Sequence, residues 1–499
     1  MRRVALSRDV CALMTVAMLL ALPGGVQQSC AGTAEGPSGG HPSFHHQPLP
    51  GDLNLTNLSK ESIWRAPACN VTTQLLVGDL DGDGRKELVF GTDQGRVTAM
   101  DVGRRSRLWE ARPTHAALHD MAVGDVDLDG QSELVVSSSD GLYCLDASDG
   151  DTEWRDELDM DSSEVFLVPR TTGGGETRYD ILLMWMDGDF YYGRWAGLSR
   201  FDGKGKQLFR TTLSEVGETG PYASCILADL DSDGKTEVVV SDRGFSYMGF
   251  GGTGHQLWVV DATSGEVLDS LALDDRYFTS PPMLLPYSGR TCVAVGLMEG
   301  TGNRSEDLLV YDFPNGTHEL LDLSRTDDNA HWTQLCYCPS TGVLVMCTDS
   351  MDLLAWSMEQ GREAWNWTHT GTPLVGTPLS LCDVDGDGTV ELLVPAGGVH
   401  IMDLLNGTFK AQVTQKQGRA WAIRLAVEDL DGDGRSEMLF GYYDDFDIQA
   451  YEVFLIGDVG RSAGDDGPST DGDGAGGLVV PIVLLSVLLA ILVLGSRRR

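Results

Sequence analysis

The chain has 499 residues, 42% of them apolar, and a formal charge of −38. That length suits one large domain or several small ones, and so acidic a balance argues against nucleic acid as a partner, because phosphate binding needs a basic surface. Twenty of the carboxylates stand in five short loops, and the remaining acidity reads as a solubilising shell.

Residues 1–30 read as a secretory signal with an uncertain cleavage point. Arg2, Arg3 and Arg8 precede an apolar stretch over 10–22 and then Pro-Gly-Gly. Those 13 residues are too short to cross a hydrocarbon core. "SCAG" around Cys30 is a weak lipoprotein signal, since Gln27 stands where an aliphatic residue is usual. Residues 31–61 form a flexible segment with glycosylation acceptors at Asn54 and Asn57. Of eight asparagines in the chain, seven head an Asn-x-Ser/Thr sequon, the others being Asn70, Asn303, Asn315, Asn366 and Asn406. Chance would give roughly one in seven, so the bias places the chain on the outer side of a membrane.

From residue 62 the pattern changes to short strands. "QLLVGDL", an acidic loop, "ELVFGT", a turn, "RVTAMD", a turn and "RLWEAR" make one unit of four strands, with no stretch periodic enough for a helix. The loop recurs as "GDVDLDGQSELVV" from Gly124, "ADLDSDGKTEVVV" from Ala228, "CDVDGDGTVELLV" from Cys382 and "EDLDGDGRSEMLF" from Glu428. The first Asp falls at 79, 125, 229, 383 and 429, which are intervals of one, two, three and one units of about 50 residues. Eight units result, the third, fifth and sixth without the loop. Four-stranded units repeated about an axis make a β-propeller. The fold expected over 62–457 is therefore all-β, with about eight blades, or seven if a degenerate unit is misread. The last unit has only three strands, and "SIWRAP" at 62–67 resembles the fourth-strand segment "RLWEARP" at 107–113, so an N-terminal strand is expected to close the ring.

Each loop carries Asp at positions 1, 3 and 5, Gly at 6 and Glu at 9. Alternating carboxylates on a tight turn converge on one point, with a backbone carbonyl expected at 7. An all-oxygen cage of this kind suits a hard cation at about 2.3–2.6 Å, Ca2+ before Mg2+. The candidate ligands are Asp79, Asp81, Asp83 and Glu87; Asp125, Asp127, Asp129 and Glu133; Asp229, Asp231, Asp233 and Glu237; Asp383, Asp385, Asp387 and Glu391; and Asp429, Asp431, Asp433 and Glu437. About five Ca2+ ions are expected. An EF-hand would need its Glu at position 12 and flanking helices. A plain acidic turn is the other reading, since Asp and Gly favour turns, but five copies of one nine-position pattern weigh against it.

After the propeller, residues 458–476 form an acidic, Gly-rich linker, whose D-G-D-G at 471–474 lacks the Glu and strand of the metal loops. Residues 477–495 read as a transmembrane helix and 496–499 as a short basic cytoplasmic tail, giving a single-pass type I protein with its bulk extracellular or lumenal. A processed lipid anchor is the alternative, with small residues near 462–464, and the terminal arginines weigh against it. Most of the ten cysteines stand in apolar runs and read as buried thiols. In "LCYCPSTGVLVMC" a hairpin turning at 339–342 would bring Cys347 near Cys336 or Cys338, and one disulfide is expected there.

The D-x-D-x-D-G-x-x-E loop between first and second strands resembles the FG-GAP repeat of integrin alpha-subunit propellers and their relatives. The second half of several units, such as "LYCLDASDGDTEW" and "LWVVDATSGEVLD", is similar to the PQQ-type repeat of quinoproteins. The resemblance implies a Ca2+-stabilised extracellular propeller, with the loop residues named above as ligands. The short linker after the last blade departs from integrin alpha subunits, which continue into β-sandwich domains, so heterodimerisation of that kind is not implied.

Three functions are compatible with this. The first is a membrane-anchored recognition or adhesion module that is not an enzyme, binding a protein or glycan on the face opposite the calcium loops, where Phe245, Tyr247, Tyr277, Tyr442 and Tyr443 are candidates on long connections. The second is a propeller enzyme of quinoprotein-like or hydrolase type. Against it, no adjacent Cys pair and no nucleophile-base set occurs, His115, His119, His255, His331, His369 and His400 stand singly, and "GFGGTG" opens no helix. The third is a structural surface protein without a specific ligand.

Overall fold

A computed structural model describes residues 53, 55, 56, 58 and 60–457, except 68–70, 161, 172–176, 190–192, 215–221, 244–255, 274–275, 300–306, 324–331, 349–351, 369–378, 396–397, 415–419, 431–434 and 445–449. The signal, linker, transmembrane and tail assignments lie outside the described residues. Among the described residues no helix is long and apolar enough to cross a membrane.

The strands assemble into eight antiparallel sheets, so the expected eight blades are present and the alternative of seven is not. Blade 1 consists of Leu76–Gly78, Glu87–Gly91, Val97–Asp101 and Ser106–Ala111. Blade 2 runs from Leu118–Gly124 through Glu133–Ser138 and Gly141–Asp146 to Thr152–Glu157. Blades 3 to 7 follow in sequence order, each with its strands in the order first to fourth. In blade 5 the first strand is broken into Arg276–Phe278 and Met283–Tyr287, both paired with Arg290–Glu299. The break falls at Thr279-Ser280-Pro281-Pro282, where proline cannot supply a ladder donor, and the Ser280 hydroxyl accepts the Gly296 N–H instead, at 2.8 Å.

Blade 8 is completed from the N-terminus. Its strands Ala420–Glu428, Glu437–Asp444 and Ala450–Ile456 take Glu61–Pro67 as the fourth, antiparallel to the third, with Arg65 opposite Glu452. This is the closure expected from the sequence, and it removes the edge an open array would expose. Beside the seam, Lys86 of blade 1 bonds the buried Glu428 at 3.0 Å, and Arg105 bonds Glu61 at 2.9 Å.

The apolar core lies between blades. Side chains alternate across a strand, so Leu88 and Phe90 pack with Leu439 and Val453 of blade 8, while Val89 between them packs with Leu134 and Val136 of blade 2. Middle strands are thus buried on both faces and read as unbroken apolar runs. Fourth strands meet solvent: Ser106–Ala111 alternates exposed and half-buried positions. Their tryptophans dock on the following blade. The indole N–H of Trp109 donates to the Ala147 carbonyl at 3.0 Å, Trp154 to Gly203 at 3.0 Å and Trp365 to Leu404 at 2.7 Å. Gly150, Gly205 and Gly407 lie flat under these rings, each at positive φ.

The expected disulfide is not formed. The hairpin does turn at 339–342, but its register pairs Cys347 with Gln334, Cys336 with Val345 and Cys338 with Val343, and all three cysteines are buried outside any disulfide. The tyrosines expected on connecting loops are also placed differently. Tyr277 lies in the strand Arg276–Phe278, and Tyr442 and Tyr443 lie in Glu437–Asp444, where they pair with Glu452 and Tyr451. Phe245 and Tyr247 fall outside the described residues.

Candidate metal centres

Each acidic loop joins the first and second strands of its blade, as expected, and the four loops whose residues are described, those of blades 1, 2, 4 and 7, are wired by their own carboxylates. In blade 1 Asp79 accepts from the Gly82 and Gly84 N–H at 2.7 and 3.0 Å, Asp81 from Asp83 at 3.0 Å, and Asp83 from Arg85 at 2.9 Å. In each of these four described loops two residues lie in the left-handed region. Position 6 is always Gly, namely Gly84, Gly130, Gly234 and Gly388. Position 4, which sequence reasoning missed, is Gly82 and Gly386 in two loops but Leu128 (φ 69°) and Ser232 (φ 62°) in the others.

The position-9 glutamate begins the second strand and points back under the loop. Its Oε2 accepts the N–H of position 2 in every loop: Leu80 at 2.8 Å, Val126 at 2.7 Å, Leu230 at 2.7 Å, Val384 at 2.9 Å and Leu430 at 2.9 Å. Glu87, Glu133 and Glu237 are 2%, 1% and 2% exposed.

The structure brings together Asp79, Asp81 and Glu87; Asp125, Asp127, Asp129 and Glu133; Asp229, Asp231 and Glu237; and Asp383, Asp385 and Glu391. Within each set the candidate ligand atoms lie within 4.8 Å of one another. Asp83, Asp233 and Asp387 stand outside these sets and turn toward the position-7 N–H. In blade 8, Asp429 and Glu437 are placed, while Asp431 and Asp433 lie outside the described residues.

Burial and the neighbouring aspartates push Glu87 and Glu133 up to about 8, and Glu237 to about 7. A cation beside a carboxyl so placed would favour its charged form. Clusters of this composition can hold a hard metal ion, with the aspartates and the glutamate as ligands.

Two blades carry a cation of their own. In blade 7, Lys410 of the fourth strand lays its Nζ 2.5 Å from Glu391 Oε1, 3.3 Å from Asp387 and 3.6 Å from Asp385. In blade 3, which has no acidic loop, Asp180 takes the register place of the closing glutamate, directly before Ile181, which pairs with Phe201. Asp180 is 2% exposed and bonds Arg200, equally buried, at 2.6 Å, with Arg170 at 3.3 Å. Arg200 also donates to the Ala262 carbonyl of blade 4, the job done elsewhere by the docking tryptophan.

Comparison with known proteins finds both repeat types in the chain. The family described as "FG-GAP-like repeat" matches residues 383–440, from the blade 7 loop through that of blade 8. The family described as "Outer membrane protein assembly factor BamB", a PQQ-type repeat family, matches residues 59–175. The chain carries FG-GAP and PQQ propeller repeats.

No curated protein matches the chain. Among solved structures it is similar to Saccharomyces cerevisiae Sqt1, at 12% identity and a TM-score of 0.56, covering 79% of this chain and 98% of that one. It is also similar to the quinohemoprotein alcohol dehydrogenase from Comamonas testosteroni, at 13% identity and a TM-score of 0.54, covering 85% and 79%. A europium-containing methanol dehydrogenase gives 10% identity and a TM-score of 0.53 over 79% and 93%. Likeness at this identity concerns the fold.

Proposed function

We propose that the chain is a membrane-anchored, extracellular calcium-binding propeller that acts as a recognition or adhesion module. The observation that carries the calcium part is the set of buried position-9 glutamates, each accepting a backbone N–H and standing in a cluster with the loop aspartates. Calcium is favoured over magnesium because the loops offer many carboxylates on a flexible turn. The extracellular part is supported by the sequons: Asn315, Asn366 and Asn406 are all exposed. Membrane anchoring rests on the apolar stretch at 477–495.

The loops occupy one face of the ring together with the turns between third and fourth strands. The ligand, a protein or glycan, is assigned to the opposite face, reached by the connections between second and third strands. We read the chain as a binding module and not a catalyst; its structural neighbours include two dehydrogenases and also Sqt1, so the fold favours neither.

The test is thermal unfolding of the full chain in detergent, with calcium and with chelator, alongside a count of bound metal. A large calcium-dependent rise with about five ions per chain is expected from ligand linkage. No shift and no bound calcium would overturn the reading. Dye-linked alcohol oxidation by the chain after incubation with pyrroloquinoline quinone would establish the enzyme alternative.

A further inference from the structure

The blade 7 loop is held by two protein groups that come from outside it. The first is a cation. Lys410 places its Nζ 2.5 Å from Glu391, 3.3 Å from Asp387, 3.6 Å from Asp385 and 3.1 Å from the Thr389 hydroxyl. The Glu391 side chain is fully buried, and that of Lys410 is only 20% exposed. The lysine reaches the loop because the register between third and fourth strands slips at Ile401 and Met402, which leaves residue 410 as the extra position of a bulge. The same slip occurs in blades 1, 2 and 4, where the extra residues are Leu108, Glu153 and Leu268. None of those carries an ammonium.

The second group is the N-terminal strap that leads into the closing strand of the ring. The Leu53 N–H donates to the Val384 carbonyl at 3.0 Å, and Val384 is position 2 of the blade 7 loop. Leu53 is 5% exposed and belongs to the apolar cluster that contains Leu381, Val384 and Leu404, with Leu55 and Leu58 packed against it. Lys60 then lays its Nζ over the Phe454 ring of blade 8, 4.4 Å from the centroid, and Glu61–Pro67 pairs as the fourth strand of that blade. In blade 3 a covalent turn between third and fourth strands rests on the preceding loop: a Cβ on Gly203 would meet the Val126 carbonyl, position 2 of the blade 2 loop, at 1.9 Å. Blade 8 has no covalent turn there, because its third strand ends at Ile456 and its fourth begins at Glu61. Leu53 takes the corresponding place on Val384. One glutamate joins the two features, since Glu391 Oε2 accepts the Val384 N–H while Oε1 takes the ammonium.

We propose that Lys410 is the resident cation of the blade 7 loop, and that it keeps the strap, and with it the closed ring, independent of calcium. This rests on the calcium reading above for the remaining loops, and it refines the expected count from about five ions to about four. Asp383, Asp385 and Glu391 offer oxygens within 4.8 Å of one another, and like charges that close repel unless a cation stands among them. A tethered ammonium is present at every calcium concentration. The loops of blades 1, 2 and 4 can therefore open locally when calcium falls, while the one junction without a covalent turn keeps its support.

The experiment is amide hydrogen exchange of the full chain in detergent, with calcium and with chelator, read on peptides covering 53–67 and on the acidic loops, alongside a count of bound calcium. In the unaltered chain the strap is expected to exchange equally in both conditions, the loops of blades 1, 2 and 4 faster in chelator, and about four ions to bind. Lys410→Met leaves the buried Glu391 without its partner, so its strap is expected to exchange at least about tenfold faster in chelator. Calcium is expected to restore the slow rate in that variant and to add one bound ion. A strap that opens in chelator in the unaltered chain would overturn the proposal, as would one bound ion per loop there, or strap exchange in Lys410→Met that matches the unaltered chain in chelator. Labelling with acetic anhydride needs no substitution: Lys410 is expected to stay unmodified in both conditions, and its modification on adding calcium would show that the metal displaces it. If neither protein binds calcium, the calcium reading fails; faster strap exchange in Lys410→Met would then still support the lysine as the anchor, and unchanged exchange would remove it.

Discussion

Leu128 and Ser232 occupy a left-handed position that Gly82 and Gly386 fill without cost in the sister loops. Branched and polar L-residues lose roughly 1 kcal/mol there relative to glycine. Leu128→Gly is therefore expected to stabilise the protein by about 1 kcal/mol, read as a higher denaturant midpoint in chelator; a lower midpoint would show that the Leu128 side chain is needed in the fold. Glu87 is the other instructive residue, because its carboxylate both accepts a backbone N–H and belongs to the acidic cluster. Glu87→Gln keeps an acceptor for the Leu80 N–H and removes the charge. Its expected signature is an unchanged or raised melting temperature in chelator and a smaller calcium-induced rise. Loss of stability in chelator would mean that the carboxylate is needed for the fold itself.

At the scale of strands and loops, burial of carboxylates makes stability depend on pH. Glu87 and Glu133 move from an ordinary 4.5 to about 8 and Glu237 to about 7. The folded chain thus binds more protons than the unfolded chain across that interval, so in chelator this contribution is full below about 4.5 and is lost as pH rises to about 8. Calcium competes with the proton and should flatten or reverse the slope, which a series of melting curves at stepped pH resolves. The docking elements give a second expectation. Gly205 has φ 77°, and a Cβ there would meet the Trp154 ring at 2.7 Å. Gly205→Ala is expected to cost about 1–3 kcal/mol by strain and overpacking, and a denaturant midpoint equal to that of the unaltered chain would show that blades 2 and 3 do not depend on this contact.

For the whole ring, the strand Glu61–Pro67 is both the end of blade 8 and the closure of the molecule. Deleting residues 1–67 leaves Ala450–Ile456 as an exposed edge, with unpaired N–H and C=O groups. Such a chain is expected to melt lower and to associate through that edge, measurable by calorimetry and light scattering; a monomer with unchanged melting would show that closure is dispensable. The surface ion pair of Arg105 with Glu61 at the same seam contributes little by comparison, since exposed pairs are worth about 0–1 kcal/mol.

Repetition made much of this legible from residues alone. A nine-position pattern in five copies, with β-branched runs after it, was enough for the loop-strand order, the number of blades and the incomplete last unit, because each blade needs only local turns and short apolar strands. The half of the candidate site that lies within one loop was visible for the same reason. What the chain order concealed is contact between distant positions. Cys347 and Cys336 are close in sequence and look like partners, but the register of the hairpin, set by packing on both sheet faces, puts Gln334 opposite Cys347. Lys410 is 19 residues beyond Glu391, an unremarkable surface lysine until the bulge in the fourth strand brings it over the loop. Arg200 and Asp180 likewise meet only when their strands pair. The sequence by itself determined which residues could form cages, since carboxylate spacing on a tight turn is a local property. Only the tertiary structure decided what stands over each cage, because that depends on how a fourth strand folds back across its blade.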